Sequence, residues 1–146
     1  MNRILALDHG ARRIGVAVAD LETGMAFARG AIKRRNLDHD LALVRELCTS
    51  EGVERVVIGL PLNMDGTEGP QAQAAREFGA RLADAGLDVI YEDERLSSWE
   101  AAERLRSTGS RPERRSGELD STAARVILQQ YLDARHRPGP PAEETE

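Results

Sequence analysis

Apolar residues come in short unbroken runs at the start of the chain and at helical spacing further on. Arg3–Asp8 shows little polar alternation, which predicts a short strand buried on both faces. His9-Gly10-Ala11-Arg12 reads as a turn, Ile14–Asp20 as a second apolar strand, Glu22-Thr23-Gly24 as a turn and Met25–Ile32 as a third strand. Three strands joined by short turns predict an antiparallel meander. From Asp38 the period lengthens. Leu41, Val44, Leu47 and Cys48 recur at helical spacing up to Glu51, and Gly52 stops the helix.

The Val/Ile run Val56–Leu60 predicts a central strand, followed by a loop over Pro61–Pro70 that holds Asn63, Asp65-Gly66 and Gly69-Pro70. A helix with Phe78 and Leu82 among its buried positions is predicted from about Gln71 to Ala85, and a fifth strand over Leu87–Tyr91. Ser97-Ser98-Trp99-Glu100 has the form of a capped helix start, with Glu100 three residues after Ser97. That helix is expected to run to about Ser107, before a polar, Arg-rich loop over Thr108–Gly117 and a last helix over Leu119–Arg135. Pro138-Gly139-Pro140-Pro141 and the acids after it predict a disordered tail, residues 138–146, behind one domain of residues 1–137. Three strands followed by βαβ crossovers make a mixed α/β sheet.

Three acids fall at the ends of predicted elements. Asp8 closes the first strand, Glu94 follows LDVIYED, and Asp120 opens the last helix. Gathered carboxylates repel unless a cation neutralises them. Hard divalent cations take oxygen ligands and keep waters, leaving room for phosphates. The pattern therefore points to a metal-dependent phosphoryl-transfer site. Each acid also has a plainer role: Asp8 as a turn former, and Asp120, ahead of Ser121 and Thr122, as a helix N-cap. Strand alternation leaves both Glu92 and Glu94 open as the middle ligand.

Charge changes the picture further. The 146 residues carry a net −5, yet residues 1–36 hold seven positive and three negative charges, 38–103 five and fifteen, and 104–137 eight and four. Two basic ends flank an acidic middle; if the fold brings those ends together beside the acids, a phosphate backbone could meet positive charge around a metal-occupied centre. Arg12, Arg13, Arg95, Arg111, Arg114 and Arg115 are the candidate phosphate contacts. Asn63 is a substrate contact or a loop former. With 3% aromatic residues, base stacking is a minor device at most. Cys48, the single cysteine, sits on an apolar helix face and reads as a buried structural thiol. No run is long enough to span a membrane and no signal-peptide pattern opens the chain, which predicts a cytoplasmic protein.

The ordered set LALDHGARRIGVAVAD, VVIGLPLNMDGTEGPQ, YEDERLSS and DSTAA resembles the YqgF/RuvX family of the ribonuclease H-like superfamily, over about residues 3–135. The resemblance implies a ribonuclease H-like fold, a five-stranded mixed sheet flanked by helices with carboxylates converging at one edge. It assigns Asp8, Glu94 and Asp120 as catalytic metal ligands and selects Glu94 over Glu92. It implies a nuclease using Mg²⁺ or Mn²⁺ on structured RNA or branched DNA, with 5′-end processing of pre-16S rRNA first and Holliday-junction cleavage second. A catalytically weak module docking on RNA or the ribosome is the alternative of another class. A homodimer is compatible with all three. One departure is Ala11, where many relatives carry Thr. The first turn also resembles the phosphate hairpin of actin-like ATPases, but those enzymes close two such domains over a nucleotide.

Overall fold

The computed structural model describes residues 3–93 and 118–136, and for 118–120 and 135–136 the backbone only. The elements are β1 (Arg3–His9), β2 (Arg13–Asp20), β3 (Met25–Lys33), α1 (Leu37–Glu51), β4 (Val53–Leu60), α2 (Pro70–Asp84), β5 (Asp88–Asp93) and α3 (Glu118–His136). The strands form one sheet in the order β3-β2-β1-β4-β5. β1–β2 and β2–β3 pair antiparallel, whereas β1–β4 and β4–β5 pair parallel. The meander and crossovers expected from the hydrophobic pattern are thus present in one mixed sheet.

Alternation along the central strands divides the core in two. Leu5, Leu7, Val16, Val18, Val56 and Ile58 face α1 and α2, where they meet Val44, Cys48, Phe78 and Leu82. Ile4, Ala6, Ala17, Ala19 and Val57 face α3 and meet Ala124, Ile127, Leu128 and Leu132. Small residues dominate the second face, which lets one helix lie close to the sheet. Gly79 of α2 packs so closely on β5 that a Cβ there would collide with the Tyr91 ring. Cys48 is buried, and burial pushes its thiol up to about 11, so it behaves as a small apolar side chain.

Several boundaries differ from the sequence reading. His9 ends β1 instead of opening a turn, because it pairs with Ile14 across the hairpin. β4 begins at Val53, three residues early, because Val53 pairs with Arg3 and Arg55 with Asp88. β5 continues to Asp93, held through Glu92 and Asp93 by Gly59 and Leu60. Polar strand ends carry little hydrophobic signal, and only their partners decide whether they pair. The helix expected over residues 97–107, the Arg-rich loop after it and the tail 138–146 lie outside the described residues.

Candidate active site at the end of the central strand

Asp8 is the penultimate residue of β1, and alternation puts it on the same face as Ile4 and Ala6, beneath α3. Its cross-strand partner in β2 is Gly15. One step beyond the last β1–β4 pair, Leu7 with Ile58, Asp8 comes level with Gly59, which pairs in turn with Glu92. Across the sheet the row reads Gly15, Asp8, Gly59, Glu92. Glycine on both sides leaves no neighbouring side chain in that row to fill the space around the Asp8 carboxylate. Glu92 stands two strands away, about 10 Å at ordinary strand spacing, and accepts a 3.0 Å hydrogen bond from Gln130 Nε2 of α3.

α3 brings its first turn to the same end of the sheet. Ser121 Oγ donates to the Val16 carbonyl at 3.3 Å and accepts from Gly30 N at 3.0 Å. Val16 pairs with Leu7, the neighbour of Asp8. Asp120 is the third residue of α3 and lies within the helix. The N-cap role considered for it is therefore excluded, since a cap precedes the first helical residue. Glu94 is the residue after Asp93, the last of β5, and lies outside the described residues. So do Arg95, Arg111, Arg114 and Arg115. Among the described residues, no three acidic, histidine or cysteine side chains converge on one point. The donor type that is described, a carboxylate, fits a hard oxygen-seeking cation.

The β1–β2 turn carries Arg12, exposed, and β2 opens at Arg13, half-buried, next to the acid end. His9 points the other way. It is 4% exposed on the α1–α2 face, with its ring 4.9 Å from that of Phe78. Burial, reinforced by the positive charge of Arg34, lowers its pKa to about 4, so the imidazole is neutral near pH 7. Its Nδ1 has no partner among the described residues. A groove of about 510 Å³ between β3 and α1, lined by Val16, Ile32, Leu43 and Leu47 among others, also lies on this far face, away from Asp8.

The loop after β4 is built from its own polar groups. Asn63 Nδ2 donates to Thr67 Oγ1 at 2.9 Å, and Asp65 Oδ1 accepts from both Thr67 N and Thr67 Oγ1. Glu68 pairs with Arg76 at 2.6 Å. Asn63 and Asp65 thus shape the loop, whatever else they touch. Asp20 likewise caps its turn, accepting from Glu22 N.

A profile of the RuvX family, described as Holliday junction resolvase, matches residues 2–134. The chain belongs to the RuvX family. One relative, named "Putative pre-16S rRNA nuclease" in Anaeromyxobacter dehalogenans (strain 2CP-1 / ATCC BAA-258), is 49% identical over 134 residues, covering 91% of this chain and 98% of that protein. Another of the same name in Chloroflexus aggregans (strain MD-66 / DSM 9485) is 44% identical, covering 92% and 96%. Among solved structures, T. thermophilus RuvC in complex with a Holliday junction substrate superposes with a TM-score of 0.58 at 18% identity, covering 94% of this chain and 97% of that one. The fowlpox virus resolvase bound to Holliday junction DNA gives 0.58 at 12% identity, covering 92% and 99%. At such identities the RuvX chain shares their fold. Nucleases of this fold and family generally use divalent metals.

Proposed function

We propose that this RuvX family chain is a divalent-metal-dependent nuclease that hydrolyses phosphodiester bonds in structured nucleic acid, with the 5′ end of pre-16S rRNA as its substrate. The observation that carries the reading is Asp8 at the end of the central strand, between Gly15 and Gly59, next to the strand that the first turn of α3 crosses. The names of the relatives support RNA as the substrate. Asp8, Glu94 and Asp120 would hold Mg²⁺ or Mn²⁺. Bound there, such an ion supplies Lewis-acid stabilisation and a more acidic water. Gly15 and Gly59 keep β-carbons out of the row on either side of the carboxylate. Arg12 on the adjoining turn and Arg13 at the start of β2, with Arg95, Arg111, Arg114 and Arg115, would meet flanking phosphates. His9 is turned to the other face of β1, against Phe78. Such a substrate sets the site of action in the cytoplasm.

The family description favours a second reading, cleavage of four-way DNA junctions. A homodimer would match the two-fold symmetry of such a junction. The test is a panel of pre-16S rRNA fragments, single- and double-stranded DNA and four-way junctions, assayed with Mg²⁺ and Mn²⁺. Cleavage at the 5′ end of the rRNA is expected, and faster junction cleavage reverses the order of the readings. Asp8→Asn and Glu94→Gln should each lower kcat by at least about a hundredfold with the fold intact, because an amide keeps the shape and loses the charge. Wild-type rates in folded Asp8→Asn would sink the metal chemistry altogether.

A further inference from the structure

We propose that half-buried Arg34, paired with the buried Asp40, positions Asp8, gripping the turn after β1 from beneath the sheet and so fixing where the carboxylate stands. The inference rests on Asp8 as a metal ligand. Asp40 lies on α1 and is fully buried, together with Val44 and Cys48 on the same helical stripe. Its Oδ2 meets Arg34 Nε at 3.4 Å, while Oδ1 accepts from Arg35 N at 3.1 Å and meets His39 Nδ1 at 3.1 Å. These partners hold its carboxyl below the usual range despite burial, which works the other way.

The same guanidinium reaches on. Arg34 NH1 donates to the Gly10 carbonyl at 2.9 Å, and the Arg34 backbone N–H donates to the Arg12 carbonyl at 2.9 Å. Gly10 N donates to the Arg13 carbonyl at 2.9 Å, and a Cβ on Gly10 would stand 2.8 Å from that oxygen. The turn is therefore tight and held at the Gly10 and Arg12 carbonyls. A single residue, His9, separates Gly10 from Asp8, and its ring is wedged against Phe78. A displacement of the turn thus passes straight to Asp8.

Stability alone does not account for the pair. Asn36 already caps α1, accepting from His39 N at 2.8 Å, so Asp40 is not needed for that. Exchanging a buried ion pair for apolar side chains is often neutral or stabilising. What an apolar pair cannot do is join α1 to the Gly10 carbonyl. Supporting partners of this kind typically change metal affinity or activity by about 10–100-fold.

Arg34→Lys tests this, because one ammonium can neutralise Asp40 but cannot span Asp40 and the Gly10 carbonyl with a rigid fork. The second variant is the double replacement Arg34→Met with Asp40→Leu, which removes the charges and keeps the volume. Thermal melts establish folding. Calorimetric titration with Mn²⁺ in the absence of nucleic acid, and kcat against KM on the cleaved substrate, read the site. Both variants are expected to weaken Mn²⁺ binding and lower kcat by roughly tenfold or more, with KM within about twofold of wild type. Wild-type Mn²⁺ affinity and kcat in either folded variant overturn the proposal. So does a loss that merely tracks the folded fraction in both. Asp8→Asn run in parallel separates this from the reading beneath it: unchanged Mn²⁺ binding there removes Asp8 as a ligand, whereas weakened binding there with wild-type Arg34→Lys removes only the positioning role.

Discussion

Asp8 and His9 are adjacent in sequence but stand on opposite faces of β1, so they meet different surroundings. Asp8 lies in a row cleared by Gly15 and Gly59, while His9 is packed on Phe78. The pKa of His9 in the folded chain, about 4, is below its ordinary 6.5, so between those values protons bind the unfolded chain preferentially. The stability that follows from keeping this ring neutral is complete above pH 6.5 and is lost as the pH falls toward 4. His9→Phe, which retains an aromatic ring, should flatten this part of the acid slope. Melting temperatures at about pH 7 and about pH 4.5 check it, and an unchanged difference between them would show that other groups set the slope. Asp40 was missed from the sequence, although one signal was present. It shares a helical stripe with Val44 and Cys48, and a carboxylate on an apolar stripe needs a buried partner.

At the level of elements, α1 was readable from its apolar period and its stop at Gly52, and the structure adds the Asn36 cap and the left-handed Gly52 at φ 71°. Asn36→Ala should cost about 1 kcal/mol by losing the bond to His39 N, measurable by urea unfolding. A cost near zero would mean that water replaces the cap. α2 shows the opposite case, since nothing in PQAQAAREFGARLAD marks Gly79 as indispensable. The constraint is Tyr91 of β5, whose hydroxyl donates to the Arg76 carbonyl at 3.2 Å and whose ring meets the Cβ position of Gly79. Gly79→Ala should therefore destabilise by about 1–3 kcal/mol despite the better helix propensity of alanine. A stabilised variant would show that Tyr91 yields without cost.

Across the whole molecule, charge is segregated along the chain, with basic ends and an acidic middle. Replacing Arg111, Arg114 and Arg115 by alanine should weaken nucleic-acid binding at low salt. The slope of log affinity against log salt should become shallower by about two to three, since fewer counterions are released. Mn²⁺ affinity without nucleic acid should hold. An unaltered slope would show that these arginines touch no phosphate. No helix among the described residues is long and apolar enough to cross a membrane.

Local physics is written in the order of the residues. A β-branched run, a helical period, a left-handed glycine and a short turn each depend on near neighbours, so the five strands, α1, α2 and α3 and their order were legible before any coordinates. The four ordered motifs carried the family, and with it the acid set, of which the described residues contain Asp8 with its side chain and Asp120 by its backbone. Tertiary structure alone decided what depends on strands distant in sequence. It levelled Gly15 and Gly59 with Asp8, carried β5 on to Asp93, and moved Asp120 from a cap into the first turn of α3. It also joined Arg34, Asp40 and the Gly10 carbonyl into one clamp. Register and burial come from pairing and packing across the fold, and a linear pattern records only that a residue is polar, not which buried partner it will meet.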